Sequence, residues 1–221
     1  MKLILRDKKK DTEDVFSFVF ESQMPISWKA GQFMQYIIER KNPDDRGVSR
    51  FFTISSAPFE KSIVITTRFN KDKSSTFKED LVNLELDTSV EAMGPWGDFI
   101  LDYTNKDQGL VFIAGGIGIT PFRAILLDID HNKYPINATL LYFNNTEEFP
   151  CKNELDNIKN KKLLRVLYST DKFSENHINK IESYKDKKYY VSGPKGFVDL
   201  VIEKLHILDI DNIKKDFFPG Y

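Results

Sequence analysis

The stretch "VFIAGGIGITPFRAIL", residues 111–126, narrows the possible folds more than any other part of the chain. An apolar strand, Leu110–Ala114, runs into Gly115, Gly116 and Gly118, and Thr120 and Pro121 then open an amphipathic segment. Thr is a good helix N-cap and Pro suits the first helical position. Phe122, Ile125, Leu126 and Ile129 continue at helical spacing. A buried strand, a side-chain-poor turn and a helix N-terminus together offer close backbone approach, free N–H groups and partial positive charge. That combination suits the pyrophosphate of a dinucleotide. The pattern is Gly-Gly-x-Gly-x-x-Pro rather than Gly-x-Gly-x-x-Gly, so a tight strand–helix turn without a ligand stands as the alternative.

The residues that follow repeat the same alternation. Strands are expected at Leu110–Ala114, Ala138–Phe143, Leu163–Tyr168 and Lys188–Val191. Helices are expected at Pro121–Asp130, Lys152–Lys159, Glu175–Tyr184 and Lys195–His206. Apolar strands alternating with helices of about ten residues predict a parallel sheet covered on both faces. The residues before this region read differently. Val15–Phe20, Phe33–Ile38, Phe51–Ile54, Ile63–Arg68 and Ser89–Met93 are short β-type runs bounded by turn material, with one short helix at Thr76–Leu84. Short strands at near-regular spacing predict a small antiparallel barrel or sandwich. The polar segment Tyr103–Gly109 separates the halves, so the expected domains are residues 1–104 and 109–221.

The global properties exclude more than they identify. The formal net charge is −1, so nothing steers the chain toward nucleic acid or an anionic membrane. No apolar run reaches the length of a membrane span, and Leu3–Leu5 is too short for a signal peptide. A single cysteine, Cys151, excludes an internal disulfide and a cluster held by four cysteines of this chain. A cytoplasmic location is the resulting expectation. His131, His177 and His206 follow no metal-ligand spacing. Cys151 lacks a paired base and reads as an ordinary thiol. Asp44–Asp45 reads as part of a turn with Gly47. The lysine runs read as solvated faces, although one of them can dock an acidic carrier.

"RFFTISSAP", residues 50–58, falls on a barrel strand. Side chains two apart share a strand face, so Arg50 and Phe52 set a cation beside an aromatic ring, as a phosphate-bearing aromatic cofactor requires. The alternative is an edge-strand Arg and a core Phe. "SSTFK" (74–78), "GPWGDF" (94–99), "AGGIGITP" (114–121), "SGPKGF" (192–197) and "DFFPGY" (216–221) follow in order. With these six motifs the chain resembles the ferredoxin–NADP⁺ reductase superfamily, and among its members the compact stand-alone FAD/NAD(P)H oxidoreductases.

The resemblance implies a β plus α/β protein: an N-terminal antiparallel FAD-binding β-barrel followed by a parallel α/β nicotinamide-binding domain. It implies that Arg50 pairs with a flavin phosphate, Phe52 packs on the flavin, and the Thr53 hydroxyl lies near flavin N5. Ser75 and Thr76 match the second pyrophosphate-binding turn. Gly115, Gly116, Gly118 and Thr120 match the nicotinamide-dinucleotide turn. Ser192, Gly193 and Pro194 match the family's Cys-Gly-Pro segment, with Ser192 in the place of the cysteine. Phe217, Phe218 or Tyr221 covers the flavin face that nicotinamide must reach.

The implied reaction is hydride transfer from NADH or NADPH to FAD, with electrons passing to a separate carrier protein or small acceptor. Thr53 and Ser192 act as orienting groups. "YFNNTEE" (142–148) and "YSTDK" (168–172) put Asn145 and Thr170 where NADPH-using relatives place Arg, which predicts a preference for NADH. Two other readings stand beside this one. The first is an electron-transfer subunit of a larger reductase. The second is a non-catalytic flavin- or nucleotide-binding redox-sensing module.

Overall fold

The computed structural model describes residues 1–103, 109–135, 137–160 and 164–218. Strands β1 (Lys2–Lys10), β2 (Val15–Ser22), β3 (Phe33–Ile37), β4 (Ser49–Thr53), β5 (Ile63–Arg68) and β6 (Ser89–Trp96) form an antiparallel sheet in the order β4-β3-β6-β1-β2-β5. Its two edges approach where Ser55 N–H donates to the Val64 carbonyl, 2.8 Å, which curls the sheet toward a barrel. Alternation explains the interior: Leu3, Leu5, Phe18, Phe20, Met34, Tyr36, Phe52, Ile63 and Ile65 all point inward. Helix α1 (Thr76–Asn83) adds Phe77 and Leu81 to the same core.

β1 was not expected as a strand. Only Leu3 and Leu5 of its nine residues are buried, and the lysines that follow them hide the alternation. It nevertheless occupies the middle of the sheet, between β6 and β2.

The second sheet holds β7 (Leu110–Gly115), β8 (Ala138–Phe143), β9 (Leu164–Ser169), β10 (Lys188–Pro194) and β11 (Ile213–Phe218) in the order β11-β10-β7-β8-β9, with every pair parallel. Helices α2 (Ile119–Asn132), α3 (Lys152–Asn160), α4 (Glu175–Asn179) and α5 (Lys195–Ile207) complete it. Separate apolar clusters lie on its two faces, as a fully covered parallel sheet requires. The six-stranded sheet and the parallel sheet thus match the expected fold class.

One helix boundary in this half is corrected. α4 ends at Asn179, and Ser183, in the left-handed region at φ 49°, prevents its continuation to Tyr184. The described part of the terminal aromatic segment lies on the edge strand β11, with Gly193 opposite Phe217 and Pro194 opposite Phe218.

The halves are clasped through Arg123 on α2, whose side chain is 12% exposed. Its guanidinium donates to Glu60 at 3.0 Å and 3.0 Å, to Glu154 at 2.8 Å and 2.5 Å, and to the Ser55 carbonyl at 2.7 Å. Burial alone would lower the Arg123 pKa; the hydrogen bonds it donates to Glu154 and Glu60 outweigh it and raise it. Ala30, Phe99 and Leu101, from the region of the first sheet, join the core beneath α2.

Candidate functional site

The strand order reverses between β7 and β10, and in open α/β sheets ligands bind beyond the carboxyl ends of the strands at such a switch point. The ends here are Gly115 on β7 and Ser192–Pro194 on β10. Gly116–Gly118 form one tight turn and α2 starts at Ile119.

A Cβ on Gly118 would lie 2.2 Å from the Ser192 carbonyl oxygen and 2.6 Å from Gly193 Cα, so only glycine lets the turn seat against β10. A Cβ on Gly115 would meet the Phe197 ring at 2.6 Å. These two glycines therefore also serve the chain's own packing. Gly116, at φ 53°, is the one with room above it; its nearest neighbour there is Asn144 Oδ1, at 3.7 Å from a built Cβ.

Thr120 is also corrected. The helix begins before it, and its buried hydroxyl donates to the Ile117 carbonyl, 3.1 Å, inside the turn instead of capping the helix. Pro121 loses no bond at this position, because the first-turn N–H groups have no helical partner.

Four buried hydroxyls have no hydrogen-bond partner among the described residues: those of Tyr36 and Tyr142, Thr53 Oγ1 at the end of β4 and Ser192 Oγ on β10. An unsatisfied buried polar group costs about 1–3 kcal/mol. Of these, Thr53 and Ser192 are the residues expected to orient a reacting ligand. Opposite Ser192, in register on β11, stands Asp216. Burial pushes its carboxyl up to about 6, against a backbone hydrogen bond involving Phe217, and the nearby Asp98 carboxylate adds to the rise. Asp216 was not identified from sequence, because β11 itself was not. Phe217 is 42% exposed beside it. The side chain of Phe218 and all of Tyr221 lie outside the described residues.

A second cluster lies at the start of α1. Ser75 is the N-cap and accepts from the Lys78 N–H, 3.3 Å. Thr76 N–H donates to Asp44 Oδ2, 2.9 Å, and Thr76 Oγ1 accepts from Asp44 N–H, 3.0 Å. The same carboxylate takes Arg46 Nη2 at 3.0 Å and Arg50 Nη2 at 3.2 Å. Burial alone would raise the Asp44 carboxyl; the hydrogen bonds from Thr76 and Arg46 outweigh it and lower its pKa. Asp44 was expected to be a plain turn residue; it anchors that turn to α1 and orients two arginines.

Arg50 Nη1 also donates to the carbonyls of Arg46, Gly47 and Ser49, and its guanidinium lies 5.6 Å over the Phe77 ring. Lys78 Nζ donates to the Arg68 carbonyl, 3.1 Å. Burial, then Arg46, Arg50 and Arg68, lowers its pKa to about 7. Arg68 reaches across to Asn144 Oδ1, 3.1 Å. This arrangement of cations and a helix start can hold a diphosphate.

Phe52 does not offer the open ring face expected of it. It is 6% exposed and packs between Tyr36 and Phe77, with both ring centroids at 5.8 Å. The shared face of Arg50 and Phe52 is the barrel interior, opposite Tyr36 and Met34. The exposed ring of this strand is Phe51, edge-on to Phe33.

At the end of β8, Glu147 accepts from Thr170 Oγ1, 3.4 Å, while Glu148 is turned to Glu13 N–H, 2.8 Å. Lys152 is held by Asp156 at 2.6 Å and lies 4.4 Å over Tyr168. Burial pushes the Cys151 thiol up to about 12, which leaves it a poor nucleophile. His131 stacks on Phe59. No helix among the described residues is long and apolar enough to cross a membrane.

Residues 112–203 match the family model of the oxidoreductase NAD-binding domain. The chain is 25% identical over 228 residues to a flavohemoprotein of Vibrio cholerae serotype O1, a match covering 96% of this chain and 57% of that protein. The chain thus spans little more than half the length of this curated relative. The solved FAD/NAD-binding domain of nitric oxide dioxygenase from Vibrio cholerae O1 biovar El Tor superimposes with a TM-score of 0.81 at 22% identity, covering 98% of each chain. Ferredoxin–NADP⁺ reductase from Plasmodium falciparum gives 0.79 at 17% identity, covering 98% of this chain and 95% of that one.

Proposed function

From a chain with the ferredoxin–NADP⁺ reductase fold that carries an oxidoreductase NAD-binding domain, we propose a cytoplasmic FAD-dependent oxidoreductase that takes hydride from NADH and hands electrons to a separate acceptor. The observation that carries this reading is that, of the four buried, unpartnered hydroxyls, two that lie near strand ends, Thr53 Oγ1 and Ser192 Oγ, come one from each sheet. A hydroxyl left unsatisfied in a core is a cost without a purpose; at the ends of β4 and β10 each is suited to bind a polar edge of a ring system.

The donors at α1 fit the other end of FAD. Arg50, Arg46, Lys78, Ser75 and Thr76 surround a place suited to its diphosphate. Phe52 does not supply the flat contact, so the ring is held by its polar edges and by β10 and β11. The chemistry supplied by bound FAD is acceptance of a hydride and release of electrons. The chain's part is positioning and exclusion of water. Gly116 and the start of α2 receive the nicotinamide dinucleotide, and Ser192 orients its reacting ring. Asp216, beside Ser192, holds or releases a proton near neutrality.

The match covers 57% of the flavohemoprotein's length, which leaves this chain's own acceptor to an independent assay. Residues 1–104 and 109–221 are proposed as the flavin-binding and nicotinamide-binding domains.

The purified protein is expected to be yellow and to release FAD on denaturation; release of FMN alone or a colourless protein that cannot be reconstituted would refute the reading. NADH is expected over NADPH. Glu147 with Thr170 presents an acceptor to free ribose hydroxyls and repels a 2′-phosphate, while Lys152 is engaged by Asp156. Steady-state kcat/KM with an artificial acceptor should favour NADH; a ratio of about tenfold toward NADPH, about 1.4 kcal/mol, would reverse the assignment.

A further inference from the structure

Arg68 ends β5 of the first sheet, yet its guanidinium is turned to the second half of the chain. Nη2 donates to Asn144 Oδ1, 3.1 Å, just past the end of β8, and Nε pairs with Asp14, 3.1 Å. Asn144 is buried and firmly held. Its N–H donates to the Ser169 carbonyl, 3.1 Å, and its Nδ2 donates to the Glu148 carbonyl, 2.6 Å, and to Thr146 Oγ1, 3.3 Å. With the amide nitrogen so committed, Oδ1 faces the other way. There it accepts from Arg68, and it is also the atom nearest the open space over Gly116, 3.7 Å from a built Cβ. β5 itself packs beside the Gly116–Gly118 turn. One buried amide oxygen therefore sets a guanidinium from the first sheet at the rim of the glycine turn of the second.

The two partners do different things for the charge. Asn144 is neutral, so it aims Arg68 without cancelling its charge. Asp14 neutralises it, but the two side chains are 30% and 43% exposed, and an ion pair that exposed is weak. A guanidinium aimed by an amide and loosely neutralised can exchange its carboxylate for a phosphate, which it grips with two N–H groups at once.

We propose that Arg68 is a ligand of the coenzyme's diphosphate, supplied by the first half of the chain to the nicotinamide site, with Asn144 aiming it and Asp14 holding it until NADH arrives. The inference rests on the proposed use of Gly116 and the start of α2 by the dinucleotide, and adds to that site a residue from the other sheet. The turn presents backbone N–H groups; Arg68 adds a full positive charge. Because that charge comes from the other half, bound NADH favours the arrangement that keeps the halves together. The diphosphate is common to NADH and NADPH, so Arg68 strengthens both alike, and the choice between them stays with Glu147 and Thr170.

The test mixes the FAD-loaded full chain anaerobically with NADH or NADPH over a range of concentrations, for wild type, Arg68→Ala, Arg68→Lys and Asp14→Asn. The concentration dependence of flavin bleaching separates affinity from limiting rate, and calorimetry with ADP-ribose reads the diphosphate contact without the redox step. Arg68→Ala is expected to weaken NADH, NADPH and ADP-ribose by about tenfold or more, the worth of one charge-assisted bond, with the loss falling on affinity more than on limiting rate. Arg68→Lys is expected to recover part of it. Asp14→Asn is expected to tighten NADH, because it frees the guanidinium at unchanged shape. The Arg68 carbonyl that receives Lys78 Nζ survives each substitution, so flavin content, measured alongside, is expected to hold, and circular dichroism checks the fold. Unchanged NADH affinity in Arg68→Ala overturns the proposal. So does a loss confined to NADPH, which would put Arg68 on the 2′-phosphate. Asp14→Asn binding NADH no more tightly than wild type also overturns it, since the pair would then serve the fold alone. Each of these leaves the flavin reading standing. A wild type that neither bleaches with NADH nor binds ADP-ribose overturns both.

Discussion

Arg123→Ala is expected to cost about 3 kcal/mol of stability, the largest effect of any single side-chain truncation in the interface between the sheets. Breaking a buried ion pair by removing one partner costs about 3–5 kcal/mol. The lower end applies because the Glu154 side chain is 40% exposed while Glu60 is 23% exposed. The loss leaves the Glu60 carboxylate with the Ala57 N–H, 2.6 Å, and strands the Ser55 carbonyl. Arg123→Lys is expected to recover only part of the loss, since one ammonium cannot serve two carboxylates and a carbonyl in the planar geometry of a guanidinium. Urea unfolding measures this directly; a change below about 1 kcal/mol would show that the clasp is a surface pairing.

Gly118→Ala is expected to reduce NADH-dependent flavin reduction by about 100-fold or more while the flavin stays bound. The added methyl would fall 2.2 Å from the Ser192 carbonyl oxygen, and the obstacle is backbone, so a rotamer change cannot relieve it. The turn must move away from β10, carrying Gly116 and the start of α2 away from Ser192. A displacement of about 1 Å at a reacting pair costs about 100-fold in rate. The proposed flavin-phosphate cluster, Arg50 on β4 and Ser75 at the start of α1, belongs to the half with the other sheet and is not pushed. Stopped-flow reduction of the variant, with its flavin content measured alongside, separates the two effects. A wild-type rate would mean that the turn tolerates the shift and does not seat the nicotinamide.

The fold was legible wherever pattern and burial coincide. The Leu110–Ala114 strand, the glycine turn and the spacing of Phe122, Ile125 and Ile129 predicted the first strand–turn–helix unit of the parallel sheet within two residues at either end of its helix. β1 and β11 escaped because their lysines carry no period-two signal: one strand is buried at only two positions, and the other forms an edge.

The proposed site takes Arg50, Thr53, Ser75 and Ser192 from motifs that the resemblance supplies, whereas Asp44, Arg123 and Asp216 act through partners far away in sequence. Phe52 shows the limit of face reasoning: two residues on one strand face can both be turned into a barrel.

Anaerobic mixing of the purified yellow protein with NADH tests the central claim most directly. The account predicts that the visible flavin band bleaches at a rate on the order of 10 per second, typical of enzyme turnover, and recovers when an electron acceptor is admitted. A flavin that stays bound and oxidised in saturating NADH would contradict it, and would identify the chain as a flavin-binding module without hydride transfer.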